Sequence, residues 1–104
     1  MVRLVLTPAA LSDADQIFDR LASEAGRSVA AKYRASFDDL FRLLRDYPEI
    51  GPSRPRLGLG VRVGVVDPYL AIYRYDRDAV TVLRIVHGRR RITGAMLRPR
   101  ATNR

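Results

Sequence analysis

Residues 61–91 read VRVGVVDPYLAIYRYDRDAVTVLRIVHGRRR, and this stretch decides the fold. It is rich in β-branched and aromatic residues, which is typical of β-strands. The dipeptide Asp67-Pro68 and the run at residues 76–79 are turn sequences that divide it into three parts. The stretch therefore predicts a meander of three short strands that ends in a block of arginines.

The turns determine which side chains share a face of this sheet. If both hairpins close with short even loops, Val66 opposes Tyr69 and Tyr75 opposes Val80. One face is then purely apolar, and we expect it to pack under helices: Val61, Val63, Val65, Leu70, Ile72, Leu83 and Ile85. The other face mixes residue types: Arg62, Gly64, Val66, Tyr69, Ala71, Tyr73, Tyr75, Val82, Arg84 and Val86. We expect the C-terminal tail or a partner chain to cover this mixed face, because its valines are apolar.

Two helices are predicted before the meander. Thr7 is a good N-cap and is followed by a proline, which suits the first helical position. Apolar residues then recur at helical spacing over Pro8–Ala25, and Gly26 is a natural stop. A second amphipathic stripe predicts a helix capped by Ser28 that ends at Tyr47, the residue before a proline.

These elements predict an α+β fold with the order β-α-α-β-β-β. A short apolar run at residues 2–6 supplies the N-terminal strand, and an antiparallel helix hairpin packs on one face of a mainly antiparallel sheet. Residues 48–60 are rich in proline and glycine and predict a surface connector. We expect a single domain over residues 1–104, with a tail from about residue 93 to 104 that is mobile or covers a partner.

The composition argues against several classes of protein. The chain has no cysteine, so it has neither a disulfide framework nor a cysteine-ligated metal site. It shows neither a signal-peptide pattern nor an apolar run of about 18 residues, the length that suggests a membrane helix. We therefore expect a cytoplasmic protein with no membrane association, no metal and no cofactor.

The charge is concentrated in the second half of the chain. Residues 1–50 carry a net charge of −1, whereas residues 51–104 carry 12 arginines and three aspartates, a net charge of +9. Arginine is suited to planar, bidentate contact with carboxylate or phosphate. The basic half thus indicates either an acidic partner or a solubilising surface.

His87 is the only histidine and precedes Gly88 and three consecutive arginines. A lone histidine beside arginines could act as a general base. A structural role at the end of the strand is the alternative, and the absence of further histidines or convergent carboxylates favours it. Arg89, Arg90 and Arg91 could bind phosphate or acidic side chains, or form a solvated basic surface.

Three segments resemble the ParE branch of the ParE/RelE superfamily of bacterial toxins. They are LTPAALSDADQIFDRLA, LRDYPEIGPSRPRL and YLAIYRYDRDAVTVLRIVHGRRRI, which span about residues 3–92 in this order. The resemblance implies the toxin component of a type II toxin–antitoxin module, which causes growth arrest and contributes to plasmid stabilization.

RelE-like members of the superfamily cleave messenger RNA on the ribosome with basic residues of the sheet. Arg62 and Arg90 match basic positions of that set, and His87 could assist them. Gly64 and Leu70 stand where that branch has basic residues, and no tyrosine follows Tyr75. Cleavage by a ribose 2′-OH needs a base, an acid and stabilisation of the phosphate charge. The incomplete set argues against an enzyme, and a RelE-like mRNA endonuclease remains the alternative.

ParE-like members are described as inhibitors that bind DNA gyrase. They are neutralised by a ParD-like ribbon-helix-helix antitoxin, and the complex binds operator DNA only through this antitoxin. On this resemblance we expect target binding by Arg89, Arg90 and Arg91, and antitoxin binding by Arg62, Tyr69, Tyr73 and Arg84, or by grooves along the helix hairpin. A second alternative is a non-toxic basic nucleic-acid-binding module.

Overall fold

The computed structural model describes residues 2–97 and contains a four-stranded sheet with a helix hairpin. The elements follow the order β1 (Arg3–Leu6), α1 (Pro8–Ala25), α2 (Arg27–Asp46), β2 (Val61–Val66), β3 (Tyr69–Asp76) and β4 (Ala79–His87). Short 3₁₀ turns lie at Pro55–Leu57 in the connector and Gly94–Leu97 in the tail. The sheet order is β1-β4-β3-β2, with β1 parallel to β4 and the other pairs antiparallel. The predicted α+β fold is confirmed; the tail beyond residue 97 lies outside the described residues.

The first helix has the bounds that the sequence predicts. The Thr7 side chain accepts a hydrogen bond from the backbone N–H of Ala10 at 3.0 Å, and Pro8 opens the helix. The predicted cap at Ser28 is wrong, because α2 already begins at Arg27. Gly26 alone connects the two helices with φ of 101°, a conformation that glycine adopts without steric cost.

The predicted strand pairings are confirmed, but the assignment of the two sheet faces is wrong. Val66 pairs with Tyr69 and Tyr75 pairs with Val80, as expected. The tyrosine-bearing face, however, is the one that packs under the helices, in a core cluster with Phe37. The tyrosine rings find aromatic partners there: Tyr69 lies 5.7 Å from Tyr33 and 6.1 Å from Phe37 between ring centroids.

An irregularity in β4 moves some side chains to the opposite face. The register of β3 against β4 shifts after Ile72. Ile72 pairs with Arg84 and Tyr73 pairs with Val82, so Leu83 has no partner on β3. Leu83 therefore packs on the face away from the helices, whereas Ile85 packs toward them. The prediction that these two residues share a face is wrong, since a regular strand was assumed.

The face away from the helices is covered by other parts of the chain. Its sheet residues are Val61, Val63, Leu70, Ile72, Leu83 and Val86. Leu57 of the connector and Ile92, Met96 and Leu97 of the tail pack against them. The sheet thus has an apolar layer on both sides. Within residues 2–97, neither helix has the length and apolar character needed to cross a membrane.

Candidate interaction surfaces

Tyr73 and Arg62 hold the connector against the sheet. The Tyr73 hydroxyl donates a hydrogen bond to the carbonyl of Pro48 at 2.8 Å and accepts one from the N–H of Gly51 at 3.1 Å. Arg62 Nη1 donates to the carbonyls of Glu49 and Gly51, both at 2.9 Å. Burial of the Tyr73 ring raises the pKa of its hydroxyl, since the phenolate would lose hydration.

Arg84 joins β4 to α1. Its guanidinium donates two hydrogen bonds to Asp13, from Nε at 2.7 Å and from Nη2 at 3.0 Å. The same carboxylate accepts the backbone N–H of Ile85 at 2.9 Å. The hydrogen bond to Asp13 raises the pKa of Arg84, and the pair is largely buried, with 19% and 13% of the two side chains exposed. This arrangement gives Asp13 and Arg84 a structural role.

The four residues predicted to bind the antitoxin are therefore engaged within the fold. Tyr69 is 5% exposed and Tyr73 is 0% exposed. Arg62 and Arg84 reach the surface only in part. Their role in antitoxin binding stays a prediction, and the accessible surface lies elsewhere.

In the alternative catalytic set, Arg90 lies beside His87 but Arg62 lies apart from both. His87 pairs with Tyr69, which pairs with Val66, whereas Arg62 lies four residues earlier on β2. At about 3.3 Å per residue, the backbones of Arg62 and His87 are roughly 13 Å apart along the strand direction alone. His87 Nδ1 accepts the backbone N–H of Arg89 at 3.1 Å, so the neutral ring carries its proton on Nε2.

An arginine-rich surface lies on the side of the sheet away from the helices. Arg89, Arg90 and Arg91 are exposed in the turn that follows β4. The backbone N–H groups of Gly88 and Arg90 bond to the carbonyls of Pro68 and His87, which fixes this turn. Arg54 and Arg56 of the connector are also exposed. Among residues 2–97, none of these five arginines forms an ion pair.

Grooves along the helix hairpin were expected without their lining residues, and one groove lies beside α2. It has a volume of about 590 Å³ and is lined by α2 and the end of β2: Lys32, Tyr33, Ser36, Asp39, Leu40, Leu43, Val65, Val66 and Asp67. Leu43 and Val65, which both line it, are 41% and 57% exposed. Gly64 lets Leu40 pack close to the sheet, because a Cβ there would lie 3.0 Å from Leu40 Cδ1. A glycine inside a strand is the sequence signal for such a close approach.

The outer edge of β2 is paired along only part of its length. The connector pairs with its first half, through a bridge between Ser53 and Arg62 and a hydrogen bond from Val63 N–H to the carbonyl of Pro52. Within residues 2–97, no segment pairs with this edge at Val65. An unpaired strand edge can accept an additional extended segment.

Comparisons with known proteins agree on one family. The profile described as "ParE toxin of type II toxin-antitoxin system, parDE" matches residues 4–92. Toxin ParE3 of Caulobacter vibrioides is 30% identical over 89 residues, which cover 86% of this chain and 89% of that protein.

Two solved structures are similar to the fold. One is the chromosomal ParDE toxin–antitoxin system from P. aeruginosa, with a TM-score of 0.70 and 27% identity over 84% of this chain and 96% of that chain. The other is the toxin–antitoxin complex RelBE2 from Mycobacterium tuberculosis, with a TM-score of 0.53 and 26% identity over 83% and 90% of the two chains.

Proposed function

The chain belongs to the ParE toxin family of type II toxin–antitoxin systems, and we propose that it inhibits DNA gyrase by binding to it. A ParD-like ribbon-helix-helix antitoxin neutralises it in this proposal. The observation that carries the proposal is the family match over residues 4–92. The separation of Arg62 from His87 supports binding over catalysis, because cleavage of RNA would need these side chains in one site.

The target-binding surface in this proposal is the turn after β4. Arg89, Arg90 and Arg91 are exposed there, and the backbone bonds of Gly88 and Arg90 fix the path of the turn. Because the backbone of the turn is fixed, the turn loses less conformational freedom on binding than a flexible segment would. Arginine in addition offers paired donors to carboxylate or phosphate groups of the target.

Replacement of Arg89, Arg90 and Arg91 by alanine tests this surface. We expect the triple variant to lose growth arrest on expression in a bacterium without the antitoxin, while its circular dichroism and melting temperature stay near those of the wild type. The matched control replaces three exposed helix arginines, Arg20, Arg27 and Arg42, by alanine, and we expect it to remain toxic. Growth arrest by a well-folded Arg89–Arg91 variant would contradict the proposal.

We place the antitoxin in the groove beside α2. Leu43 and Val65 are its exposed apolar residues, and the unpaired edge of β2 at Val65 lies next to them. Lys32 and Asp39 also line the groove; Asp39 already forms an exposed ion pair with Arg42, whereas Lys32 can pair with an acidic residue of a bound segment. An extended segment of the antitoxin could therefore add a strand to β2 and insert apolar side chains beside Leu43.

Leu43→Glu tests the groove, because a buried unpaired charge opposes the binding of an apolar segment. We expect the affinity for the antitoxin to fall at least about tenfold, measured by isothermal titration calorimetry. Leu11→Glu is the control, since Leu11 is an exposed leucine of α1 outside the groove, and its affinity should match that of the wild type. If both variants lose affinity equally, or if neither loses affinity, the antitoxin binds elsewhere.

The RelE-like alternative has one observation in its favour, the similarity to the RelBE2 complex. In that case the protein would cleave messenger RNA on translating ribosomes, and Arg62, His87 and Arg90 would take part. Primer extension on messenger RNA after expression distinguishes the two functions. Cleavage that is lost in His87→Ala would support the endonuclease, whereas intact messenger RNA during growth arrest supports gyrase inhibition.

A further inference from the structure

The surface opposite the helices is formed by two segments that meet in space. We call it the tail-side layer, and it consists of connector residues 54–60 and tail residues 88–97. The 3₁₀ turns Pro55–Leu57 and Gly94–Leu97 touch each other. Leu57, Ile92, Met96 and Leu97 point into the sheet, where they contact the apolar side chains of that face. The layer therefore presents outward its charged and polar side chains together with Leu59, which is 92% exposed.

The tail-side layer carries charge of one sign. Residues 54–60 and 88–97 contain five arginines and no aspartate or glutamate, and the strands add Arg62, Arg74 and Arg84. The guanidinium groups of these three are bonded within the chain, to connector carbonyls and Asp13. Asp67, in the turn next to Gly88, lines the groove on the helix side. Five exposed arginines remain to define the potential of this surface: Arg54, Arg56, Arg89, Arg90 and Arg91.

The chemistry of this surface favours a polyanion with a regular backbone. Leu57, Ile92, Met96 and Leu97 are packed against the sheet, and the single exposed Leu59 does not form an apolar groove for an amphipathic acidic peptide. Neither segment contains an aromatic residue on which single-stranded bases could stack. What remains is a set of guanidinium groups, which bind phosphate through charge and paired hydrogen bonds.

We propose that the tail-side layer binds the phosphate backbone of duplex DNA without sequence preference, through Arg54, Arg56, Arg89, Arg90 and Arg91. This contact is distinct from recognition of operator DNA, which belongs to the antitoxin. The biological role of this contact rests on the proposed function, because the toxin would then bind gyrase together with the DNA that gyrase holds. The arginines of the connector and those of the tail would then bind the same ligand.

The test uses the purified full-length protein without gyrase. Fluorescence anisotropy with a short labelled duplex of arbitrary sequence measures the affinity over a range of salt concentrations. Each phosphate contact contributes about −0.9 to the slope of log affinity against log salt, so the five arginines contribute about −4.5. We expect binding to weaken by on the order of several hundredfold between about 50 and about 200 mM salt.

Two matched variants separate this surface from the net charge of the protein. Arg54→Ala/Arg56→Ala should weaken binding by on the order of tenfold or more and reduce the magnitude of the slope by about 2. Arg20→Ala/Arg27→Ala removes the same charge from the helix hairpin and should leave the affinity and slope close to those of the wild type. Circular dichroism and thermal melting verify that both variants are folded.

The possible contrary results are distinct. Equal weakening in both variants would show that only net charge matters and would overturn the proposal. Competition by polyglutamate as strong as that by unlabelled duplex would point to an acidic protein segment instead. A toxin that inhibits gyrase but does not bind duplex DNA would overturn this inference alone. DNA binding without any effect on gyrase would contradict the proposed function and leave this inference standing.

Discussion

The hydroxyl group of Tyr73 joins the connector to the sheet through two hydrogen bonds. A tyrosine among valines suggests contact with water or a ligand, because its hydroxyl needs a hydrogen-bond partner. In the structure the connector supplies that partner on both sides of the hydroxyl, at Pro48 and Gly51. The partners lie 25 and 22 residues away in the chain, so no local pattern indicates them.

Tyr73→Phe should destabilise the protein by about 1–3 kcal/mol, because the buried N–H of Gly51 and the carbonyl of Pro48 lose their partner. Urea unfolding at neutral pH measures this difference in the free energy of unfolding. The control is Tyr47→Phe, since the Tyr47 side chain is exposed. A difference no larger than that of the control would mean that the hydroxyl contributes nothing to stability.

The stability of the wild type should also decline in alkaline solution because of Tyr73. Burial raises the pKa of its hydroxyl above the ordinary value of 10.0, so near and above pH 10 the unfolded chain loses this proton before the folded chain does. The contribution to stability is complete below pH 10 and is lost as the pH rises through the folded-state pKa. Unfolding free energies measured across this range should fall less in Tyr73→Phe than in the wild type; parallel declines would contradict the assignment.

At the scale of elements, capping and periodicity predicted the helices well. Thr7-Pro8 and Gly26 gave the bounds of α1, because these signals act within a few residues. The strand pairing was predictable for the same reason, through the turns at Asp67-Pro68 and after Asp76. The irregularity at Leu83 was not predictable from the sequence, because it coincides with a contact from the start of α1. The hydroxyl of Thr7, the N-cap of α1, donates a hydrogen bond to the carbonyl of Leu83.

Asp13 acts at this junction between α1 and β4. Asp13→Ala removes the partner of the largely buried Arg84 guanidinium and of the Ile85 N–H, so we expect a loss of about 2–4 kcal/mol in the free energy of unfolding. Asp39→Ala breaks an exposed ion pair with Arg42 and should cost at most about 0.5 kcal/mol. Urea unfolding of both variants gives the comparison, and similar losses would refute the role of Asp13.

A double variant identifies the origin of that loss. Asp13→Ala/Arg84→Met removes the charge that would otherwise stay buried without a partner, and we expect it to recover part of the stability lost in Asp13→Ala. If the double variant is less stable than the single one, packing of the Arg84 side chain outweighs the cost of its unpaired charge.

At the scale of the whole molecule, the sequence predicted a charge asymmetry but not its spatial arrangement. The basic character of the second half was evident from counting charged residues. The side chains of Arg89, Arg90 and Arg91, which were predicted to bind the target, are exposed. The contribution of Arg54 and Arg56 depends on the contact between the connector and the tail, which joins segments about 40 residues apart. The groove beside α2 likewise arises from the packing of α2 on β2, to which only Gly64 gave a local signal.

These arrangements place the two proposed interactions on different parts of the molecule. The groove lies between α2 and the edge of β2, whereas the tail-side layer covers the face of the sheet away from the helices. An antitoxin in the groove could neutralise the toxin by enclosing it or by excluding the target through its own bulk. The groove ends at Asp67, next to the turn that carries Arg89, Arg90 and Arg91, so an antitoxin bound there would lie near these arginines.

Supercoiling of relaxed plasmid by purified gyrase, with increasing amounts of this protein and then with antitoxin, tests the central claim most directly. We predict that supercoiling is lost, that cleaved plasmid accumulates, and that the antitoxin restores the reaction. Undisturbed supercoiling in the presence of a protein that still arrests growth would contradict gyrase inhibition and favour cleavage of messenger RNA.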